Sequence, residues 1–282
     1  MSYAVLSIQS RVAYGHVGNS AAVLPLQRLG LEVWTVDTVQ FSNHTGYGPW
    51  RGIVLEPATV SDIVDGIAEL GVLARCDALL TGYLGDHALG EVVLKALDRL
   101  RAANPKALYA CDPVMGDAER GFFVREGVPE FLRDRVVPKA DVLTPNRFEL
   151  EFLAGRRIVT LDDAVAAAGE VLERGPRLVV CTSLGGGERA LETIAVAPGS
   201  VWRVHTPRLP FKANGAGDVF AALFLGHYLQ TRRPATALAR AASGLYGVLK
   251  ATFESGSEEL ALVAAQDEIV HPSRRFRARR LR

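Results

Sequence analysis

Short apolar runs alternate with longer amphipathic ones along nearly the whole chain. The run "YAVLSIQ" (3–9) has the length and unbroken apolarity of a buried strand. "NSAAVLPLQRLG" (19–30) has helical spacing, started by Asn19 or Ser20 and closed by Gly30. The β-branched "LEVWTVDTVQF" (31–41) predicts a second strand, followed by a helix near 59–74, a strand over 77–82, a helix near 87–102 and a strand over 107–113. The series resumes with a strand at "DVLTPN" (141–146), a helix near 161–174 and a strand over 177–183. Two more strands, "LETIAVA" and "VWRVHTP", precede a glycine-rich turn, and three helices fill roughly 215–270.

Strands that are apolar on both faces and alternate with helices imply an α/β fold, a mostly parallel central sheet covered by helices on both sides. Ligands bind such sheets outside the carboxyl ends of the strands. Ser10, Thr81, Asp112, Thr144, Asn146, Thr182 and Ser183 stand at predicted strand ends, so they are expected around one crevice. No linker rich in Pro, Gly or Ser interrupts the series, and a single domain over 1–282 is expected, with the segment 31–56 as a small flap on the sheet edge.

Composition narrows the classes without naming a chemistry. The 282 residues are 49% hydrophobic and 22% charged, enough for a large core. A net charge of +1 gives no global pull toward nucleic acid or a membrane surface, and neither is expected as a partner. The basic tail "RRFRARRLR" (274–282) suits a solvated end or a contact to a neighbouring element better than a nucleic-acid site, because no aromatic-rich basic face accompanies it. Cys76, Cys111 and Cys181 are far apart and offer neither a disulfide framework nor a CxxC metal site. With no signal-like or transmembrane run, a cytoplasmic protein is expected.

The glycine turn "NGAGD" (214–218) carries the first chemistry. It opens an apolar helix, where free backbone N–H groups and the helix dipole favour an anion and glycine lets that anion come close. The amides of Gly215, Ala216 and Gly217 beside the Asp218 carboxylate suit phosphoryl transfer, with Asp218 as the base. A plain glycine turn capped by Asp218 or Asn214 fits the same five residues. Neither GxxxxGK[ST] nor an early GxGxxG is present, so this anion site belongs to neither common nucleotide class. Asp112, in "CDPVMGD" with Asp117 five residues on, ends a strand before a proline and suits Mg²⁺ directly or through waters; a turn cap is the plainer alternative. In "TPNRFELE", Asn146 and Glu149 have capping-box spacing and stand where they could also order Mg²⁺ and its waters. "QFSNHTGYG" (40–48) gathers Phe41, His44, Thr45 and Tyr47, suited to sandwiching a flat heteroaromatic ring; His44 is read as structural. Tyr83 offers an opposite wall or ordinary core, Ser10 a donor to the substrate, and Tyr14 and Val17 further walls.

Taken together, "SIQSRVAYGHVGNSAA", "WTVDTVQFSNHTGYG", "TGYLG", "CDPVMGD", "TPNRFELE", "NGAGD" and "VAAQDEI" resemble the ribokinase superfamily and, within it, the pyridoxal kinases, in order and over nearly the whole chain. The resemblance implies a ribokinase-like three-layer sandwich and transfer of phosphate from MgATP to the 5′-hydroxymethyl group of pyridoxal, with ATP and Mg²⁺ required and a homodimer as the usual assembly. It implies that Asp218 is the base at the 5′-hydroxyl and that the amides of residues 215 to 217 hold the transferred phosphoryl. Ser10, Thr45 and Gly46 would bind the polar edge of the pyridine, with Val39, Phe41 and Tyr83, beside Val17, lining the ring. Asp112, Thr144, Glu149, Thr182 and the loop Thr206, Pro207, Arg208 and Leu209 would meet ATP or its metal, Asp112 and Glu149 on the metal side.

Three departures stand out. Thr182 and Ser183 occupy positions where some relatives carry lysine and histidine, and hydroxyls replace hydrogen bonds but not charge. The stretch between "HTPRLP" and "NGAGD" is shorter than in some members, and Asn214 has no assigned role. Two alternatives remain beside a pyridoxal kinase: a kinase acting on hydroxymethylpyrimidine, and a non-catalytic carrier of pyridoxal phosphate. The segment "GDAERGFFV" (116–124) is expected to act as a lid.

Overall fold

The structure, a computed structural model, describes every residue except Met1, Gly186 and Glu188. The chain begins with β1 (Ala4–Val12), α1 (Asn19–Arg28), β2 (Glu32–Phe41) and β3 (Gly52–Val54). It continues through α2 (Pro57–Glu69), β4 (Ala78–Thr81), α3 (His87–Ala103) and β5 (Leu108–Cys111). A hairpin of β6 (Gly116–Asp117) and β7 (Gly121–Phe122) leads to the one-turn α4 (Val128–Phe131), then β8 (Val142–Leu143), α5 (Arg147–Ala154) and α6 (Leu161–Leu172). Three long strands follow, β9 (Leu178–Gly185), β10 (Ala190–Ala197) and β11 (Ser200–Pro207). The helices α7 (Ala216–Thr231), α8 (Pro234–Ser255) and α9 (Gln266–Val270) and the short β12 (Arg279–Arg280) complete the chain.

Ten strands form one sheet in the order β12-β11-β10-β9-β8-β5-β4-β1-β2-β3. The central pairs are parallel, while β3 and β10 to β12 pair antiparallel at the two sides. Along β1, Leu6 and Ile8 join the core on one face, beneath α2, α3, α5 and α6; Val5 joins the other, beneath α1, α7 and α8. This two-sided burial is why the strands read as unbroken apolar runs, and it produces the three-layer α/β sandwich expected of the ribokinase-like class. Helix α7 is apolar all round, because it lies between the sheet, α1 and α8; Val219 to Leu225 are all buried.

Several local expectations change. Neither Asn19 nor Ser20 caps α1: Gly18 holds the N-cap position, and Ser20 Oγ instead donates to the Val12 carbonyl at 2.8 Å. Asn19 is fully buried, accepting from Ser7 Oγ (2.7 Å) and donating to Asp37 Oδ1 (2.7 Å) and the Val36 carbonyl (3.2 Å), which ties α1 to β1 and β2. Pro145 has no N–H to offer a ladder, so the strand expected over 141–146 shrinks to β8. Thr81, expected on the crevice, turns its hydroxyl into the core against Tyr109 Oη at 3.1 Å. The basic tail contacts its neighbours: β12 pairs with β11, and Arg274 lies over the rings of Tyr246 and Phe276.

Candidate active site

The parallel strands bring their carboxyl ends to one edge. Backbone bonds just past the strands, Asp112 N–H to the Thr81 carbonyl (2.8 Å) and Thr144 N–H to the Cys111 carbonyl (3.1 Å), hold Asp112 and Thr144 side by side. Thr144 Oγ1 donates to Asp112 Oδ1 at 2.9 Å, and both residues are buried. Strand β11 runs antiparallel to β10, which runs antiparallel to β9, so β9 and β11 end on this same edge. Thr182 and the segment Thr206 to Leu209 therefore stand there too. Thr182 forms a lone parallel bridge with Asn146 and donates its N–H to the Pro145 carbonyl at 2.9 Å. Ser183, beside it, has φ of 59°, a left-handed conformation that non-glycine residues seldom adopt away from functional or tightly determined sites.

The glycine turn meets this edge at the start of α7. Gly215 takes the N-cap position with φ of 83°, and the first helical bond runs from Val219 N–H to the Gly215 carbonyl at 2.9 Å. The N–H groups ahead of Val219 have no intrahelical acceptor and form the positive end of a long helix. Gly217 is exposed, and a Cβ built on it would have Asp112 Oδ2 as its nearest neighbour at 3.8 Å, so the turn and Asp112 share one cleft. A methyl group at Gly215 would overlap the carbonyl oxygen of His16. Gly215→Ala is therefore expected to lose about tenfold or more in activity and several degrees in Tm, read by initial rates and thermal melting, because a left-handed backbone and a backbone clash coincide there.

Electrostatics set this cleft apart from ordinary surface. Burial pushes the Asp218 carboxyl up to about 6, against hydrogen bonds from its own N–H and that of Gly18. Burial, followed by repulsion from Asp218, raises Asp112 to about 8 despite the Thr144 hydrogen bond. Glu149 is raised as well, by burial and then by Asp112. No lysine, arginine or histidine forms an ion pair with these three carboxylates among the described residues. Such an uncompensated cluster, with Asp112 and Glu149 buried and Asp218 half-buried, suits a divalent cation.

Glu149 also has local work. It is the third residue of α5 and forms a capping box with Asn146: Glu149 N–H donates to Asn146 Oδ1 (3.0 Å), and Asn146 N–H donates to Glu149 Oε2 (2.8 Å). Glu149 Oε1 accepts from Met115 N–H at 3.1 Å, so both oxygens are engaged. The cap and metal readings of Glu149 are thus compatible only if the ion is reached mainly through waters. Among the described residues no three His, Cys, Asp or Glu side chains form a direct cage.

The proposed ring pocket lies across β1 and β2. Val12, Val17, Val39 and Phe41 form one small buried cluster with Tyr83 and Val54 packed on it, joining residues far apart in sequence. Ser10 is buried at the end of β1. Thr45 and Gly46 sit in an exposed turn whose start is capped by His44, with Gly46 N–H donating to Nδ1 at 3.0 Å. That gives His44 the structural role expected of it. Trp50, overlooked in the sequence, packs tilted against Phe41 with ring centroids 4.2 Å apart; its place five residues after Thr45 was the available signal. The β6–β7 hairpin borders both halves of the cleft. Lys212 forms an ion pair with Glu119 of the hairpin, and Arg120 Nη1 would lie 3.6 Å from a Cβ on Gly46. Asp117 is held inside the hairpin by Arg120, at 2.7 Å, apart from the Asp112 cluster.

The profile of the family described as Phosphomethylpyrimidine kinase matches residues 36–262. Pyridoxal kinase PdxY of Rubrobacter xylanophilus is 58% identical over 281 residues, covering 98% of this chain and 97% of its own. Pyridoxal kinase PdxY of Granulibacter bethesdensis is 53% identical over 97% of this chain and 98% of its own. Among solved structures, the pyridoxal kinase of Leishmania donovani in complex with ADP and pyridoxamine superimposes over 100% of both chains with a TM-score of 0.93 and 32% identity. No helix among the described residues is long and apolar enough to cross a membrane.

Proposed function

The chain belongs to the phosphomethylpyrimidine kinase family, and from its 58% and 53% identity to pyridoxal kinases we infer that it acts as a pyridoxal kinase, transferring the γ-phosphoryl of ATP to the 5′-hydroxymethyl group of pyridoxal. The observation that carries the reading to chemistry is the shared cleft of Asp218, Asp112 and the free helix start at Gly215 to Gly217. Phosphoryl transfer asks a protein mainly for in-line positioning and charge stabilisation, and this cleft offers both.

In the proposed mechanism Ser10, Thr45 and Gly46 hold the polar edge of the pyridine, while Val17, Val39, Phe41 and Tyr83 enclose its faces. This delivers the 5′-hydroxyl to Asp218. The Asp218 carboxylate accepts the hydroxyl proton as the oxygen bonds to the γ-phosphorus, and the bond from phosphorus to the β,γ-bridging oxygen breaks to release ADP. The N–H groups of Gly215, Ala216 and Gly217 donate to the migrating phosphoryl, adding the dipole of α7 to its stabilisation. Asp112, with Glu149 acting through waters, would hold Mg²⁺, which when bound neutralises phosphate charge. Thr144, Thr182 and the segment Thr206, Pro207, Arg208 and Leu209 would contact the nucleotide. Lys212 and Arg120, each paired with a carboxylate of the hairpin, border the cleft and are candidates for the charge missing at Thr182. Homodimeric assembly is part of the same proposal, testable by sedimentation.

A coupled ADP-release assay tests the substrate. Pyridoxal, pyridoxamine and pyridoxine are expected to support Mg²⁺-dependent turnover, with kcat/KM for pyridoxal exceeding that for hydroxymethylpyrimidine by about tenfold or more, the discrimination a ring-shaped pocket can supply. Higher kcat/KM with hydroxymethylpyrimidine would transfer the assignment to the pyrimidine kinase alternative. Absence of ATP consumption dependent on any ring substrate, in folded protein, would favour a carrier.

A further inference from the structure

Glu259 lies outside every motif so far given a role. It stands in the irregular segment after α8, yet its carboxylate reaches two separate parts of the cleft. One oxygen accepts a hydrogen bond from the Tyr47 hydroxyl, at the end of the flap turn that carries Thr45 and Gly46. The other accepts from His16 N–H at 3.0 Å, in the loop between β1 and α1. Gly15 makes room for this contact: with φ of 96°, a Cβ there would come within 2.5 and 2.8 Å of the two oxygens.

The base of this clamp is firm. Leu260 and Leu262 on either side of Ala261 are 2% and 0% exposed, and Ala261 N–H donates to the buried Thr252 Oγ1 at 2.9 Å. Ser257 Oγ accepts from Glu259 N–H (3.1 Å) and donates to the Glu259 carbonyl (2.7 Å), closing a local ring. The far side is also built in. The His16 carbonyl abuts Gly215, and the next glycine of that loop, Gly18, gives its N–H to Asp218. One carboxylate on a rigid base thus fixes the flap turn and the loop that touches the catalytic turn.

We propose that Glu259 is a positioning residue, clamping the Thr45–Tyr47 turn and the Gly15–Gly18 loop together so that the ring pocket is formed before substrate arrives. The proposal rests on the pyridoxal kinase reading for its substrate. It touches no reacting atom, so its signature is pre-organisation, seen in binding of the ring substrate and not in binding of nucleotide.

Three variants test it: Glu259→Ala, Glu259→Gln and Tyr47→Phe. Glu259→Ala is expected to raise KM for pyridoxal by about tenfold or more, the scale of a lost charge-assisted hydrogen bond, with KM for ATP within about twofold of the parent. Tyr47→Phe cuts only the flap arm and should reproduce most of the rise, even should the alanine variant fail to fold. Glu259→Gln, which can accept from His16 and donate to Tyr47, should recover most of the parent KM. The double variant Glu259→Ala/Tyr47→Phe should be little worse than Glu259→Ala alone. Amide exchange over residues 43–48 reads the clamp without turnover and is expected to quicken in Glu259→Ala and Tyr47→Phe. Unchanged exchange, an unchanged pyridoxal KM in folded Tyr47→Phe, or equal rises in both KM values would each overturn the clamp. A parent inert toward pyridoxal would instead overturn the kinase reading, and with it the expected pyridoxal effect, whatever the exchange result.

Discussion

Asp218→Asn is expected to lower kcat by on the order of a hundredfold or more, the usual size of a general-base contribution, with both KM values changed by no more than about threefold. The substitution keeps size and shape, and the amide oxygen can still accept from Gly18 N–H, so the loop contact survives. What disappears is the capacity to take the hydroxyl proton. The pH profile gives a second, sharper reading. A base raised to about 6 is mostly ionised at neutral pH yet basic enough to share a proton with an attacking alcohol. In the parent, kcat at saturating MgATP, where the cation keeps Asp112 ionised, should be level above about pH 7 and fall toward tenfold per unit below about pH 6. That acid limb should vanish from the small residual activity of the variant. Steady-state rates between pH 5 and 9, with circular dichroism to verify folding, measure both; a folded variant with near-parent kcat would remove Asp218 from the base position.

The contrast between Asp218 and Glu259 marks what a sequence discloses. Asp218 follows two glycines at the start of an unmistakably buried helix, so its backbone conformation, its dipole and its acidity are all local facts. Asp112 and Thr144 were legible through strand ends, because a parallel sheet sends every strand end to one edge whatever the details between. Glu259 sits among other acidic and small residues after α8, where no periodicity distinguishes it. Its partners Tyr47 and His16 are separated from it by more than two hundred residues, and only the packing of α8 brings them together. Asn19 failed for a related reason. Its position before an apolar run fits an N-cap, but the buried Ser7 hydroxyl and the half-buried Asp37 carboxylate take its side chain in place of the helix start. Glu149 satisfied its local reading completely, as a capping box, and its carboxylate still ended beside Asp112.

Asp112→Asn should separate stability from catalysis in opposite directions. In the ligand-free protein the Asp112 carboxyl is raised from 3.8 to about 8 by burial and by Asp218, so ionising it costs the fold stability. The sign follows from linkage: the penalty is absent below the unfolded value, grows as pH climbs from about 4, and is complete above about 8. Asparagine cannot ionise, and its Oδ1 can still accept from Thr144 Oγ1. The ligand-free variant is therefore expected to melt higher than the parent at pH 8, by roughly 3 °C or more given that ~1 kcal/mol moves Tm by about 2–4 °C at this size. Near pH 4 the two should melt together. Catalysis should move the other way, with kcat/KM for MgATP falling by about a hundredfold or more as the cleft loses a charge facing the cation. Adding MgATP should raise the melting temperature of the parent more than that of the variant, since a ligand stabilises the fold according to how tightly it binds and the variant has lost a carboxylate facing the cation. Thermal melts at the two pH values, with and without MgATP, check each arm. A variant less stable than the parent at pH 8 would mean that Asp112 is held by compensating charge, and the uncompensated cluster proposed to attract the metal would not exist.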